Sequence, residues 1–387
     1  MPKAIVTGLD VGTSSIRVAV CEAVRGSKAP RVLALTKSES RGLRRGYIIN
    51  AEEAAQAIRS AIAEAEKVAQ TRIKHVFLGL GGVTVESKIG EGQVVVSRAD
   101  SEITDNDINR VIELSELNLT DNQNGRIIHI IPLYFKLDGK KILGRPEGMR
   151  GSKLEVRTLF VTCLNQHLTN LLRAVELAGL TVEDVVASPI AASFLALSNQ
   201  QKAAGVVLAN IGSQTTSIAV FEEGIPVSLS ILPIGSLDIT NDIALGLRVP
   251  LDEAERIKIG SENVVTLKKK LDEIIEARLS DMFELIEGHL KKIGRSGLLP
   301  AGLVLSGGGA ALPNLDRLAK EELKLPARVL TPVIDAAGKT QIKDPAWLVA
   351  YGLCLFGLGA ELGESVGTRL FRRTKGKFLQ WLRELLP

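Results

Sequence analysis

Strand-length apolar runs open the chain. Residues 4–9 form one, which leads into the polar turn Asp10-Val11-Gly12-Thr13-Ser14-Ser15, and further strands are predicted over 16–21 and 32–36. Strand, Gly/Ser turn, strand reads as a β-hairpin rather than a crossover unit. The period then changes from 2 to 3.6. From 51 to about 70, Ala54, Ala57, Ile58, Ala61, Ile62 and Ala65 fall on one helical face. Residues 75–80 read as a core strand of a parallel sheet ending at Gly81-Gly82.

The scheme returns about 200 residues later. Residues 205–210 form a strand into Ile211-Gly212-Ser213-Gln214-Thr215-Thr216, with strands again over 217–222 and 226–232. A helix is predicted over 237–247 and one long helical stretch over 251–292. A strand over 302–305 ends in Ser306-Gly307-Gly308-Gly309. Two such units imply an internal duplication and a cleft between the halves, lined by both hairpin loops. Residues 83–162 differ in texture. They hold alternating segments, a helix capped by Thr104 with acids in its first turn, and a hairpin turn at Asp138-Gly139. This region reads as an inserted α+β subdomain. The apolar run at 346–360 is too short for a membrane span and is expected as a buried helix.

At 387 residues, with 45% hydrophobic and 24% charged positions, disordered and collagen-like classes are excluded. Cys21, Cys163 and Cys354 are scattered, which argues against a zinc site or a disulfide framework and suits a reducing cytoplasm. The amino terminus lacks an apolar secretory core. Aromatic residues make up only 4%, so stacking platforms for nucleic acid are not expected.

Gly/Ser/Thr turns can present backbone N–H groups and hydroxyls to phosphate. Asp10, Gly12, Thr13, Ser14 and Ser15 form one candidate loop; Asn210, Gly212, Ser213, Gln214 and Thr215 form the second. Asp10 at a strand end is the candidate Mg²⁺ residue, acting through bound water. Gly307, Gly308 and Gly309 would let backbone approach a purine or its phosphates. Each loop alone is a plain turn. Three in this order on a duplicated scaffold point to nucleotide, although the chain contains no GxxxxGK[ST] and no GxGxxG.

Specific segments carry a family resemblance. They are Gly8-Leu-Asp-Val-Gly-Thr-Ser-Ser, His129-Ile-Ile-Pro-Leu-Tyr, Pro146-Glu-Gly-Met-Arg-Gly, Gly235-Ser-Leu-Asp-Ile-Thr-Asn-Asp, Glu253-Ala-Glu-Arg-Ile-Lys and Leu305-Ser-Gly-Gly-Gly-Ala-Ala-Leu-Pro. Across its length the chain resembles the actin, chaperone and sugar-kinase superfamily and, within it, the FtsA family of actin-like bacterial division proteins. The resemblance implies an α/β, actin-like (ribonuclease H-like, duplicated) fold with an inserted α+β subdomain and a C-terminal amphipathic helix. It divides the chain into IA (1–82 and 163–195), inserted IC (83–162), IIA (196–235 and 301–362), IIB (236–300), and a linker with membrane helix (363–387).

It also implies ATP and Mg²⁺ in the cleft, filaments, other divisome proteins as partners, and docking of the FtsZ C-terminal peptide on the smaller subdomain of the second half. Glu255 and Lys258, three apart on one helix face, resemble the pair that holds ribose and adenine; without the resemblance they read as a solvated ion pair. The family's second loop usually reads Asp-x-Gly-Gly-Gly-Thr-Thr-Asp. Here Asn210 replaces the first Asp, and Ser213-Gln214 replace Gly-Gly. An amide is no carboxylate base, so nucleotide is expected to be held with at most weak hydrolysis. A PilM-like adaptor and a sugar or acetate kinase are the alternatives within the superfamily; the kinase would need a carboxylate at position 210.

Charge is divided unevenly. The last 21 residues hold six Lys and Arg against Glu384, net +5, which leaves −1 for the rest of a chain whose total is +4. In that tail Phe371, Phe378, Leu379, Trp381, Leu382, Leu385 and Leu386 share one helical face. A basic, amphipathic, Trp-bearing helix suits a membrane interface. The other reading is a terminal helix docked on its own core. The basic excess after a Gly-containing linker favours membrane, and the resemblance then implies the cytoplasmic side of that membrane at the septum.

Overall fold

The computed structural model describes residues 4–24, 30–97, 100–119, 124–261, 268–330, 334–336 and 340–362. The tail face from Phe371 to Leu386 lies outside the described residues.

The first half contains β1 (Ile5–Val11), β2 (Ser15–Glu22), β3 (Arg31–Glu39), β4 (Leu43–Arg44), β5 (Tyr47–Ile48), α1 (Ala51–Ala69) and β6 (His75–Leu80). An insert follows: β7 (Glu86–Val95), α2 (Asp105–Leu117), β8 (Gly125–Leu137), β9 (Lys140–Ile142) and β10 (Lys153–Leu164). The chain returns through α3 (Asn165–Leu177), β11 (Thr181–Ala187), α4 (Ser188–Ala196) and α5 (Asn199–Ala204). The second half holds β12 (Val206–Ile211), β13 (Thr216–Glu222), β14 (Ile225–Leu232), α6 (Ser236–Leu247), α7 (Leu251–Lys258), α8 (Lys268–Lys292), β15 (Leu303–Ser306), α9 (Leu315–Leu323), β16 (Ala327–Val329), β17 (Ile334–Ala336) and β18 (Thr340–Ile342). It closes with α10 (Leu348–Leu362).

The two halves repeat one topology. One sheet runs β11-β6-β1-β2-β3 and the other contains β16-β15-β12-β13-β14. In each, three parallel strands adjoin an antiparallel meander. The registers match as well. Asp10 pairs with Arg17 and Gly79, and Asn210 pairs with Ser217 and Ser306. The duplicated actin-like fold expected from the sequence is therefore present at the level of individual pairs.

Helix α1 follows its pattern closely. Asn50 accepts from the backbone N–H of Glu52 and Glu53, and all six predicted apolar positions are buried. The alanines allow close approach, so Thr36 and Ser38 on β3 donate to the carbonyls of Ala61 and Ala57. The apolar run near the carboxyl end forms buried α10, packed on β1 and α4. Among the described residues no helix is long and apolar enough to cross a membrane.

The predicted stretch over 251–292 is not one helix. It breaks after Lys258, where Ile259 leaves helical geometry and Gly260 takes φ +74°. A left-handed glycine is a common helix stop, and periodicity alone passes over it. The break separates α7 from α8.

The insert has its own core of Ile103, Ile108, Val111 and Leu154. Its helix α2 starts at a capping box in which Thr104 and Asp107 satisfy each other's backbone N–H, and the predicted Asp138-Gly139 turn joins β8 to β9. The insert is also tied to both halves. Strand β7 adjoins β14 through Ser230 and Glu86, which makes a nine-stranded sheet, and the Ser87 hydroxyl exchanges hydrogen bonds with the Leu229 backbone at 2.8 and 3.0 Å. On the other side, His129 Nε2 accepts from the Ala187 N–H at 3.0 Å. His167 on α3 donates from Nε2 to the Gly46 carbonyl at 3.1 Å, while its Nδ1 accepts from Thr84 at 2.5 Å.

Both histidines are buried and held neutral. Burial lowers His129 from 6.5 to about 3; burial lowers His167 to about 4, with the bond to Gly46 opposing. Between these values and 6.5 the unfolded chain binds more protons than the folded one. Stability therefore falls as pH drops through that window, by up to about 1.4 kcal/mol per pH unit for each histidine. Urea unfolding at pH 4.5–7.5 is expected to show this acid loss. His129→Gln keeps an acceptor for Ala187 and should flatten the slope; an unchanged slope would remove His129 as its source.

Candidate functional site

Each half presents a hairpin turn at the end of its central strand. Gly12 and Gly212 occupy equivalent places. A Cβ on Gly12 would lie 2.9 Å from the Ser15 carbonyl, and one on Gly212 would lie 2.9 Å from the Thr215 carbonyl. In the second turn the Gly212 N–H closes onto the Thr215 carbonyl at 2.8 Å. Thus tight reversal, not phosphate contact alone, demands glycine at both positions. The turns put Asp10 and Asn210 at matching strand ends. Burial raises the Asp10 carboxyl to about 6, with the Arg17 charge opposing.

The turn residues are partly committed within the protein. Thr13 Oγ1 accepts from the Gly46 N–H at 2.9 Å, and Gln214 Oε1 accepts from the Arg45 N–H at 2.7 Å. Two consecutive amides in the β4–β5 turn therefore clasp both hairpin loops and bring the two halves together. Arg45 and Gly46 both have positive φ, 49° and 75°, which aims the amides this way. The Ser14 carbonyl accepts from Ser40, and Ser213 and Gly212 accept from Leu237 and Ser236 at the start of α6. Ser15 Oγ is buried without a hydrogen-bond partner among the described residues.

A cavity of about 580 Å³ opens beside the second loop. Of the predicted site residues, Glu255, Lys258, Gly308 and Gly309 line it, together with Ser236 and an apolar set that includes Ile257, Ile275 and Leu312. The residues of both hairpin loops do not line it. The second loop adjoins it through Ser236, bonded to Gly212, and through Gly307, which packs against Asn210 Oδ1 and the Ile211 carbonyl. With φ +90° and no space for a side chain, Gly307 can only be glycine.

Glu255 and Lys258 form an ion pair of 2.7 Å across α7. It is not the solvated pair that spacing alone suggests, since the Lys258 side chain is 7% exposed. Lys258 Nζ also donates to Thr240 Oγ1 at 2.8 Å and to the Ser236 carbonyl at 3.1 Å. Ser236, Thr240 and the Arg45-Gly46 clasp were not singled out from the sequence. Thr240 lies inside the segment that begins at Gly235, but a threonine within an amphipathic helix carries no signal of its own.

The residues present fit a phosphate-bearing ligand. Two glycine cradles have no room for Cβ, an orphaned Ser15 hydroxyl sits beside the first, and a cavity lined by both apolar and polar residues lies beside the second. Among the described residues no group of three or more His, Cys, Asp or Glu could hold a metal ion. A Mg²⁺ near Asp10 would thus depend on water and phosphate oxygens for its remaining ligands.

Comparison with known proteins identifies the family. The profile "Cell division protein FtsA" matches residues 207–352, and "SHS2 domain inserted in FTSA" matches residues 82–162. The chain is 30% identical to the cell division protein FtsA of Pseudomonas aeruginosa, over 92% of the chain and 89% of that protein. It is 32% identical to that of Bacillus subtilis, over 90% and 82%. Among solved structures, the PilM–PilN type IV pilus biogenesis complex gives a TM-score of 0.68 at 21% identity, covering 92% of this chain and 99% of the other. MreB5 of Spiroplasma citri gives 0.53 bound to ADP and 0.52 bound to AMPPNP, both at 14% identity; each covers 93% of this chain, with 99% and 97% of the respective MreB5 chains. These structural likenesses carry the actin-like fold. Sequence identity over most of both chains carries the family, and on that ground the chain belongs to the FtsA family of bacterial cell division proteins.

Proposed function

We infer that the protein binds ATP with Mg²⁺ between its duplicated halves, polymerises, and ties FtsZ filaments and other divisome proteins to the inner face of the cytoplasmic membrane at the septum. The observation that carries the nucleotide reading is the cavity that joins Glu255 and Lys258 to Gly308 and Gly309 beside the second hairpin loop. The fold neighbour whose structures hold ADP and AMPPNP adds support. Bound ATP with Mg²⁺ would supply concentrated negative charge between the halves.

The chain's own residues then have distinct tasks. Gly12, Thr13, Ser14 and Ser15 offer backbone and hydroxyl donors on one side, with Asp10 as the carboxylate for Mg²⁺-bound water. Gly212, Ser213, Gln214 and Thr215 serve on the other. Gly307, Gly308 and Gly309 flank the base, and the 255/258 pair faces the sugar. Asn210 offers no charge and no basic oxygen for activating water. The site is thus built to hold nucleotide and couple its presence to the relation between halves, with hydrolysis slow.

The tail supports the membrane role by composition. Its +5 charge meets anionic headgroups while the face from Phe371 to Leu386 enters the interface. A single short helix binds marginally, and a filament multiplies it by avidity. The FtsZ peptide is assigned to the smaller subdomain of the second half through family membership.

Two measurements test this reading. A Cβ at Gly308 meets nothing within 4 Å, so Gly308→Leu fills the cavity without displacing the fold. It is expected to lower ATP affinity at least about tenfold, roughly 1.4 kcal/mol, by equilibrium titration while leaving the ligand-free melting temperature unchanged. Wild-type affinity in that variant would remove the nucleotide from this cavity. For the tail, deleting residues 367–387 is expected to abolish co-sedimentation with anionic vesicles. Undiminished sedimentation would sink the membrane assignment.

A further inference from the structure

We propose that Thr240 is a positioning residue that sets the Glu255 carboxylate to select ligands bearing ribose hydroxyls. The proposal rests on the nucleotide reading above and extends it to a residue outside the loops.

Proton counting in the α6–α7 contact leads there. Thr240 is 2% exposed in the second turn of α6. Its hydroxyl donates to Glu255 Oε2 at 2.6 Å and accepts from Lys258 Nζ at 2.8 Å. The Ser236 carbonyl, at 3.3 Å, is the poorer acceptor for its one proton and already receives Lys258. An ammonium has three protons. Lys258 gives two of these to Thr240 Oγ1 and the Ser236 carbonyl, and its charge lies 2.7 Å from Glu255 Oε2 in an ion pair. With its side chain 7% exposed, Lys258 is committed largely within the protein and braces Glu255.

Glu255 is arranged differently. Oε2 accepts from Thr240 and is ion-paired with Lys258, whereas Oε1 has no hydrogen-bond partner among the described residues, and the side chain is 46% exposed on the cavity wall. A carboxylate oxygen only accepts, so its ligand must donate. Position selects which donor. The polar group of Ser236, Glu255 and Lys258 lies next to the second hairpin loop, through the bond from the Ser236 N–H to the Gly212 carbonyl. The lining also holds Lys268 and Asp272 and the apolar residues Ile275, Ala311, Leu312 and Pro313, and the apolar set suits a flat base. A group between base and phosphates is the sugar, and its donors are the 2′ and 3′ hydroxyls. Without the Thr240 donor, the carboxylate would lose its shortest restraint, and one Lys258 proton would be left unpaired.

The test uses the full chain and measures dissociation constants for ATP, 2′-deoxy-ATP and 3′-deoxy-ATP. Wild type is expected to prefer ATP over at least one analogue by about tenfold or more, the scale of one charge-assisted hydrogen bond. Thr240→Val should shrink that ratio to under about threefold, mainly by weakening ATP. Thr240→Ser, which restores the hydroxyl, should recover it. A wild-type ratio in T240V, or a loss in T240S equal to that in T240V, overturns the positioning role. If T240V does not fold by circular dichroism, Glu255→Gln takes its place; it should lose the same discrimination, and a retained ratio overturns the proposal. Wild type that binds ATP and both analogues equally overturns this proposal and leaves the nucleotide reading standing. Wild type that binds no ATP overturns the nucleotide reading and this proposal with it.

Discussion

The structure depends on a reversal too tight for a side chain, made twice. At Gly12 and at Gly212 the chain leaves the central strand of a sheet, and a Cβ would lie 2.9 Å from the carbonyl three residues on. That constraint fixes where Asp10 and Asn210 stop, and where the following strand must begin. Everything functional in the proposed site is reached from these turns: the clasp by Arg45 and Gly46, the start of α6, and the glycine that packs on Asn210. At these turns divergence between the halves lies in side chains, where Asp10 pairs with Arg17 and Asn210 with Ser217, while the registers stay the same.

The insert makes the relation between halves a three-body matter. Its chain ends are covalently part of the first half, yet its sheet continues the sheet of the second through β7 and β14. A rotation of one half against the other must strain the Ser87–Leu229 exchange, the His129–Ala187 bond, or the chain Thr84–His167–Gly46. The last chain ends at the same Gly46 whose N–H holds Thr13. A change at the hairpin loops thus has a continuous hydrogen-bonded route to the base of the insert. The route consists of buried and half-buried neutral groups, so it carries position rather than charge.

Much of this was legible in residues whose local physics leaves one solution. Thr104 is an N-cap and Asp138-Gly139 a hairpin turn in the sequence and in the structure, where Asp107 completes a capping box with Thr104. The repeat was legible because strand, polar turn and strand recur at a spacing that the registers reproduce. Other features depend on tertiary contact and leave no periodic trace. The break after Lys258 rests on one left-handed glycine within an otherwise helical pattern. The continuity of β7 with β14 joins strands about 140 residues apart through a single bridge. The clasp uses backbone N–H groups, which every residue but proline has, so no residue type announces it.

The 255/258 pair shows why a motif locates a site more readily than it assigns roles. Two oppositely charged residues three apart are correctly placed on one face of α7, and both line the cavity. Their roles follow from counts that spacing does not contain. Lys258 donates to two acceptors on α6 and is ion-paired on α7, which turns the cation into a brace between the helices. Glu255 accepts from Thr240 and pairs with Lys258 through Oε2, which leaves Oε1 as the part of the pair able to accept from a ligand. A buried ammonium is tolerated because it is paired and hydrogen-bonded, and an exposed carboxylate is specific because one of its oxygens is not. Thr240 supplies the difference between a pair held by charge alone and one held in a defined orientation.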